Sequence, residues 1–189
     1  MELVIDTETT GLTSLSFVTE RNYQKWPRLV QIAWGYIEED SLEIQNSTII
    51  RPNGFNIPSD AIRIHGITNK QATEDGKDLK DLLNTLNHAM QRADTIIAHN
   101  LNFDLGILHS EAMRSGVPIE FPDKRKCTAF MGQAYMRKEH KMRLSEFPKL
   151  GELHKTLLGH VYEPHHDASS DVIACATVYN ELKKLGYAR

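Results

Sequence analysis

Two carboxylates two residues apart ride a short apolar segment near the start of the chain, in Val4-Ile5-Asp6-Thr7-Glu8-Thr9-Thr10-Gly11. Side chains alternate between the faces of a strand, so Asp6 and Glu8 point the same way. Ionised carboxylates beside a near-continuous apolar run such as Leu3-Val4-Ile5 are costly to desolvate, and a shared metal ion would compensate them. The competing reading is a strand face covered by water. Thr9, Thr10 and Gly11 follow as a small polar turn, where a substrate's end could approach the backbone closely.

Three further positions extend this chemistry. His99-Asn100-Leu101-Asn102-Phe103-Asp104 joins an apolar strand at Ile96 to a helix, with Asn100 or Asn102 suited to cap it. Asp104 then falls in the first helical turn, where the helix dipole favours a carboxylate and the tip of a neighbouring strand is near. An ordinary first-turn aspartate is the alternative. His166-Asp167-Ala168-Ser169-Ser170-Asp171 opens the last helix, with the imidazole just before it and Asp171 one turn inside. Ala168 and Cys175 flank Asp171 at i−3 and i+4, small neighbours that leave room for an ion and a substrate. Either His166 or His165 has the near-neutral titration a general base needs, and either could instead be structural. Asp6, Glu8, Asp104, Asp171 and His166 together form a set able to hold two divalent metal ions and activate a water.

Oxygen ligands select hard cations such as Mg²⁺ or Mn²⁺. Zinc is the competing metal, because His154, His160, His165 and His166 cluster late in the chain. Their spacing matches no helical His-Glu-x-x-His pair, and Cys127 and Cys175 are too few for a four-cysteine site. Two cysteines also exclude a disulfide framework, leave one disulfide open, and suit a reducing cytosol. Glu2, Asp6 and Glu8 stand where a secretory signal would need a basic and then an apolar run, and no apolar stretch approaches ~20 residues. These features predict a cytoplasmic protein with no membrane partner. The net charge of −3 is unhelpful for a polyanionic ligand until two divalent cations are set against four clustered carboxylates. Lys124, Arg125, Lys126, Arg137, Lys138, Lys141 and Arg143, opposed only by Asp123 and Glu139, form a candidate phosphate-contacting stretch or simply a solvated face.

The elements that must position these residues follow from periodicity. Strands are predicted at Glu2 to Glu8, Leu29 to Ile37 and Glu43 to Ile50, the last stopped by Arg51-Pro52-Asn53-Gly54. Three strands in succession predict an antiparallel meander. Leu79, Leu82, Leu83, Leu86 and Met90 make the apolar stripe of a helix, Thr95 to Ala98 a short strand, Phe103 to about Gly116 a second helix, and Ala168 to Leu185 the last. With 189 residues and no repeat or linker, residues 1–189 read as one α/β domain with helices packed on a sheet.

In order along the chain, Asp6-x-Glu8, His65-Gly66-Ile67-Thr68, His99-Asn100-x-x-Phe103-Asp104 and His166-x-Ala168-x-x-Asp171 resemble the DEDDh exonucleases, the DnaQ-like members of the ribonuclease-H-like superfamily. The resemblance covers nearly the whole chain. It implies a five-stranded mixed sheet, first three strands antiparallel, flanked by helices, and a 3′-to-5′ exonuclease that releases nucleoside monophosphates from a nucleic acid with a single-stranded 3′ end. It implies that Asp6, Glu8, Asp104 and Asp171 hold two Mg²⁺ or Mn²⁺ ions and that His166 is the general base. It further implies that Thr9, Gly11, Leu12, His65, Asn100 and Phe103 line the pocket for the terminal nucleotides.

Two departures from the family stand out. The connection between Leu12 and Leu29 is long and mixes Phe17, Tyr23 and Trp26 with Arg21, Lys25 and Arg28, a composition able to stack bases and pair phosphates, or to pack as a surface loop. The sequence closes on Gly186-Tyr187-Ala188-Arg189, so the polymerase-binding tail of the family's proofreading subunit is not expected. DNA is the favoured substrate. An RNA 3′-to-5′ exoribonuclease, a phosphodiesterase for small nucleotides, and a catalytically silent nucleic-acid-binding module are the alternatives, with a homodimer or a protein partner open for each.

Overall fold

The computed structural model describes residues 1–142, 146–160, 162 and 167–188. Along the chain these form β1 (Glu2–Thr9), β2 (Leu29–Glu38), β3 (Ser41–Ile49), α1 (Ser59–His65), α2 (Asn69–Asp75), α3 (Leu79–Gln91), β4 (Thr95–Ala98), α4 (Leu101–Ser115), β5 (Lys124–Cys127), α5 (Thr128–Glu139), α6 (Leu150–Leu158) and α7 (Ala168–Lys184). The strands lie in one sheet in the order β3-β2-β1-β4-β5. β1, β2 and β3 form the expected antiparallel meander, and β4 and β5 add parallel to β1. The architecture is therefore the mixed five-stranded α/β sheet of the ribonuclease-H-like fold.

Local chemistry explains the meander. Glu38 pairs with Ser41, leaving Glu39 and Asp40 as a two-residue turn with φ of 51° and 64°. Positive φ at both turn residues matches the right-handed twist of the strands it joins. Between Glu8 and Thr9 the register with β2 slips by one residue, since Glu8 faces Gln31 but Thr9 faces Leu29. This bulge re-aims the chain immediately after the second carboxylate.

β5 was not visible in the apolar pattern. Lys124-Arg125-Lys126-Cys127 carries no alternation, and the sheet accepts it because it is an edge strand whose cations reach solvent. The basic stretch is thus divided between a sheet edge and the last turn of α5, and Lys126 Nζ is spent on the Ala188 carbonyl at 2.8 Å. Arg143 lies outside the described residues.

Each face of β1 enters a different core. Leu3 and Ile5 pack with Leu82, Leu86, Leu101, Leu105 and Leu108 from α3 and α4. Val4 packs on the other face with Ala168, Val172, Cys175 and Tyr179 of α7. By alternation Asp6 and Glu8 face α7, whereas Thr7 and Thr9 face α4.

The connection before β2 is built into the first core. Trp26 is buried against Gly106 of α4, where a Cβ would stand 2.2 Å from the indole ring. Arg28 binds the carboxylate of Glu111 at 2.8 Å, and Glu111 also accepts from the Leu29 amide at 3.0 Å. Trp26 and Arg28 therefore hold the fold together, while Phe17, Arg21 and Lys25 remain exposed. Replacing Gly106 by Ala would overpack this joint and is expected to cost about 1–3 kcal/mol. Thermal unfolding should record it as a Tm lowered by about 2–4 °C per kcal/mol, and an unchanged Tm would contradict the packing. No helix among the described residues is long and apolar enough to cross a membrane.

Candidate active site

Asp6 and Glu8 project from β1 toward the first turn of α7, where Asp171 meets them. Ligand oxygens of Asp6, Glu8 and Asp171 all lie within 4.8 Å of one another, close enough to share a cation. Asp104 approaches from α4. It is buried, and its Oδ1 accepts a hydrogen bond from Thr7 Oγ1 at 2.7 Å. Asp104 and Asp171 are each the fourth residue of their helices, so two positive helix ends converge on the carboxylates of β1.

The electrostatics describe a site short of positive charge. Burial is the main cause that raises the Asp6 carboxyl well above the usual range, followed by repulsion from Asp104, Asp171, Glu8 and Asp167. Burial and then Asp171 push Glu8 up to about 8. Burial also lifts Asp104 to about 7, although the Thr7 hydroxyl and backbone amides oppose the rise. Such crowding is stable at neutral pH only with protons or cations in place, and an all-oxygen donor set fits hard divalent ions. The Cys175 thiol beneath the site is pushed far up by burial and remains protonated, so it is not a nucleophile.

Several contacts that fix the carboxylates were missed in the sequence. Thr7 sits between Asp6 and Glu8 on the opposite face, and strand alternation alone would have aimed it at α4. Gln31 faces Glu8 across the ladder; its Nε2 donates to Asp167 at 2.8 Å and its Oε1 accepts from the Ala168 amide at 3.2 Å. Gln31 thereby clamps the start of α7 to β2. A lone amide in the apolar run Leu29-Val30-Gln31-Ile32 was the available signal. Asp167 caps α7 by accepting from the Ser170 amide at 3.3 Å, and Tyr162 donates its hydroxyl to Asp171 Oδ1 at 2.9 Å. Burial, reinforced by Asp171, raises the Tyr162 phenol, so it stays a donor.

The residues expected to line the terminal-nucleotide pocket divide by exposure. Thr9 is buried and donates to the Gly11 carbonyl at 2.6 Å; Leu12 is 89% exposed. Gly11 has φ of 152°, which favours glycine. His65 ends α1, buried, its Nδ1 accepting from the Ile67 amide at 3.1 Å. Phe103 is half-buried against Trp26. Asn100 corrects the capping expectation: it occupies the N-cap position of α4 without a side-chain cap bond, and Asn102 lies inside the helix. Asn100 has φ 71° and ψ 46°, left-handed instead of the extended backbone from which a side chain reaches the first amides. Its exposed side chain is left for other partners. His166, expected as general base, and its alternative His165 lie outside the described residues.

Thr7 supplies a test of the carboxylate scaffold. Thr7→Val keeps the shape but removes the hydroxyl that orients Asp104, and outer contacts of this kind are worth about 10–100-fold in metal affinity or activity. Titrating activity with Mn²⁺ should show the loss in Thr7→Val and its recovery in Thr7→Ser. Equal activation curves for all three proteins would assign Thr7 a packing role only.

A mixed sheet whose central strand and two helix starts gather carboxylates at one end of the strands defines an acidic-site hydrolase of the ribonuclease-H-like class. Over residues 3–179 the chain matches the family described as Exonuclease (RNase_T). Among curated proteins it is similar to the DNA polymerase III subunit epsilon of two Buchnera aphidicola subspecies. The protein from the Acyrthosiphon pisum strain is 30% identical over 114 residues, covering 58% of this chain and 43% of the relative. That from the Schizaphis graminum strain is 32% identical over 119 residues, covering 58% and 44%. Among solved structures it resembles E. coli Exonuclease I in complex with a dT13 oligonucleotide, at TM-score 0.72, 18% identity, and coverage of 97% of this chain and 40% of that one. The zinc-bound form of the E. coli Exonuclease I complex with single-stranded DNA aligns at TM-score 0.74 and 18% identity, covering 97% and 40%. The chain spans less than half the length of these relatives. It belongs to the DnaQ-like (DEDDh) exonuclease family of the ribonuclease-H-like superfamily, a family of nuclease hydrolases.

Proposed function

We propose that this chain is a 3′-to-5′ exonuclease that removes nucleoside monophosphates from single-stranded 3′ ends, with DNA favoured over RNA. The observation that carries this reading is the convergence of Asp6, Glu8 and Asp171 within 4.8 Å of one another, with Asp104 beside them. Those four residues would hold two Mg²⁺ or Mn²⁺ ions. Such ions supply charge to the attacking and leaving oxygens of an in-line displacement at phosphorus.

The chain's own residues position and exclude. β1 fixes Asp6 and Glu8 rigidly, Thr7 orients Asp104, and Tyr162 with the Gln31 clamp orients Asp171. Thr9 and Gly11 form a tight turn that lets a sugar approach the backbone, and Leu12 offers an apolar surface to a terminal base. His65, Asn100 and Phe103 complete that pocket. His166 takes the proton of the attacking water, a task for a group that titrates near neutrality. Similarity to an Exonuclease I bound to an oligonucleotide supports DNA as substrate, and two free cysteines support a reducing, cytoplasmic setting.

Incubating 5′-labelled DNA and RNA oligomers with Mg²⁺ or Mn²⁺, with and without EDTA, tests the proposal. Metal-dependent laddering from the 3′ end is expected, faster on DNA. No laddering on either strand, or laddering undiminished in Asp6→Ala, overturns it.

A further inference from the structure

A second feature at this end of the sheet has no role in the hydrolytic site. Between the start of β2, the end of β3 and α3 and α4 lies a cavity of about 300 Å³ whose lining includes Arg28, Arg51, Lys80 and Arg114, with the ring of Phe55 under the Arg28 guanidinium at 4.2 Å. Glu111 and Asp78 are its acidic residues, leaving a surplus of two positive charges in a chain of net charge −3.

The four cations are not equivalent. Arg28 and Arg114 share the buried Glu111 carboxylate at 2.8 and 3.2 Å, and Arg114 also donates to the carbonyls of Tyr23 and Trp26 at 2.6 and 2.7 Å. Those two build the wall. Asp78 is engaged at the start of α3, accepting from the Lys80 and Asp81 amides at 2.8 and 3.3 Å. Arg51 and Lys80 line the same cavity, exposed, and make no ion pair among the described residues. A rigid cationic wall carrying two uncommitted cations is suited to a phosphate group.

The cavity is tied to the hydrolytic site through the backbone. The Arg28 amide donates to Thr10 Oγ1 at 2.8 Å, and the Thr10 amide donates to the Arg28 carbonyl at 2.9 Å. Thr10 is two residues beyond Glu8, at most about 7 Å along the chain, and its paired hydrogen bonds set Arg28 directly beside it. A polyanion whose end lies at the carboxylates therefore passes from a negative site to a positive one by crossing the Thr9–Gly11 turn.

We infer that this cavity binds an internal phosphate of the substrate strand, upstream of the 3′ end, chiefly through Arg51 and Lys80. The inference rests on the exonuclease reading for its ligand. Its test is binding, which needs no turnover. In EDTA, fluorescence anisotropy of a labelled single-stranded DNA of about twelve nucleotides should show about tenfold weaker binding by the Arg51→Ala/Lys80→Ala double variant. The slope of log affinity against log salt should be shallower by about 1.4, the value for two phosphate contacts on a single strand. A charge-matched Lys155→Ala/Lys184→Ala control should bind as wild type, and in turnover the loss should appear in KM. Unchanged binding and salt slope in the Arg51/Lys80 variant overturn the inference. So does the pattern in which inorganic phosphate or thymidine monophosphate loses affinity for that variant while the strand does not, since the cavity would then serve a free anion. Failure of wild type to cleave any strand with Mg²⁺ or Mn²⁺ refutes the exonuclease reading and leaves the anisotropy to judge the cavity.

Discussion

Asp6→Asn is expected to abolish strand cleavage and, in the same protein without metal, to raise the melting temperature. Both effects come from one oxygen exchanged for an amide. Removing a ligand from the carboxylate cluster forfeits several kcal/mol of charge stabilisation at the reacting phosphate, which at 1.36 kcal/mol per decade is a loss of about 10³-fold in rate. Without metal, however, Asp6 is the carboxylate raised by the most like-charged neighbours, with four against three for Glu8. A neutral isostere removes its desolvation cost and relieves Glu8, Asp104 and Asp171 together. A gain of about 1–2 kcal/mol, read as roughly 2–8 °C in a chain of this size, follows. Thermal melts in EDTA at pH 8, beside a 5′-labelled oligomer assay with Mn²⁺, check the two halves separately. An Asn variant that melts below wild type in EDTA would show that Asp6 is held by favourable partners, and retained cleavage would remove it from the site.

The readable part of this protein was what one element dictates by itself. The alternation of β1 placed Asp6 and Glu8 on one face, and the helix-start signals placed Asp104 in the first turn of α4 and Asp171 one turn inside α7. What stayed hidden depends on contacts between segments far apart in sequence. The Thr7 to Asp104 bond spans 97 residues and the Gln31 to Asp167 bond 136, so neither partner announces its role locally. Trp26 looked as fit to stack a base as to pack in a surface loop, and its burial in the core was hidden because that decision belongs to Gly106 on a helix that arrives much later. β5 was hidden for another reason: a short edge strand needs no apolar alternation, and its sequence reads as a charge run.

The second large effect is a stability profile that metal inverts. Glu8 moves from an ordinary 4.5 to about 8 on folding, and Asp104 from 3.8 to about 7, both mainly through burial. A folded carboxyl with a raised pKa holds its proton where the unfolded chain has already lost it. The folded state therefore binds more protons across that window, and stability falls as pH rises from about 4 to about 8. Below the window there is no penalty, and above it the penalty is complete. Comparing wild type with Asp6→Asn at each pH isolates the cluster from acid-labile contacts elsewhere; the advantage of Asn should grow between pH 5.5 and 8. Divalent cations compete with the same protons, so they should release protons on binding near pH 6.5 and stabilise more at pH 8 than at pH 6. At a hundredfold excess over the dissociation constant the linkage is worth about 2.7 kcal/mol, or roughly 5–11 °C. Melts with Mn²⁺ or EDTA across this range, with calorimetric titrations in two buffers of different ionisation enthalpy, measure both quantities. A metal-induced shift that is the same at pH 6 and pH 8, with no proton release, would mean that the carboxylates are already ionised without metal, and their crowding would then be balanced by groups of the protein itself.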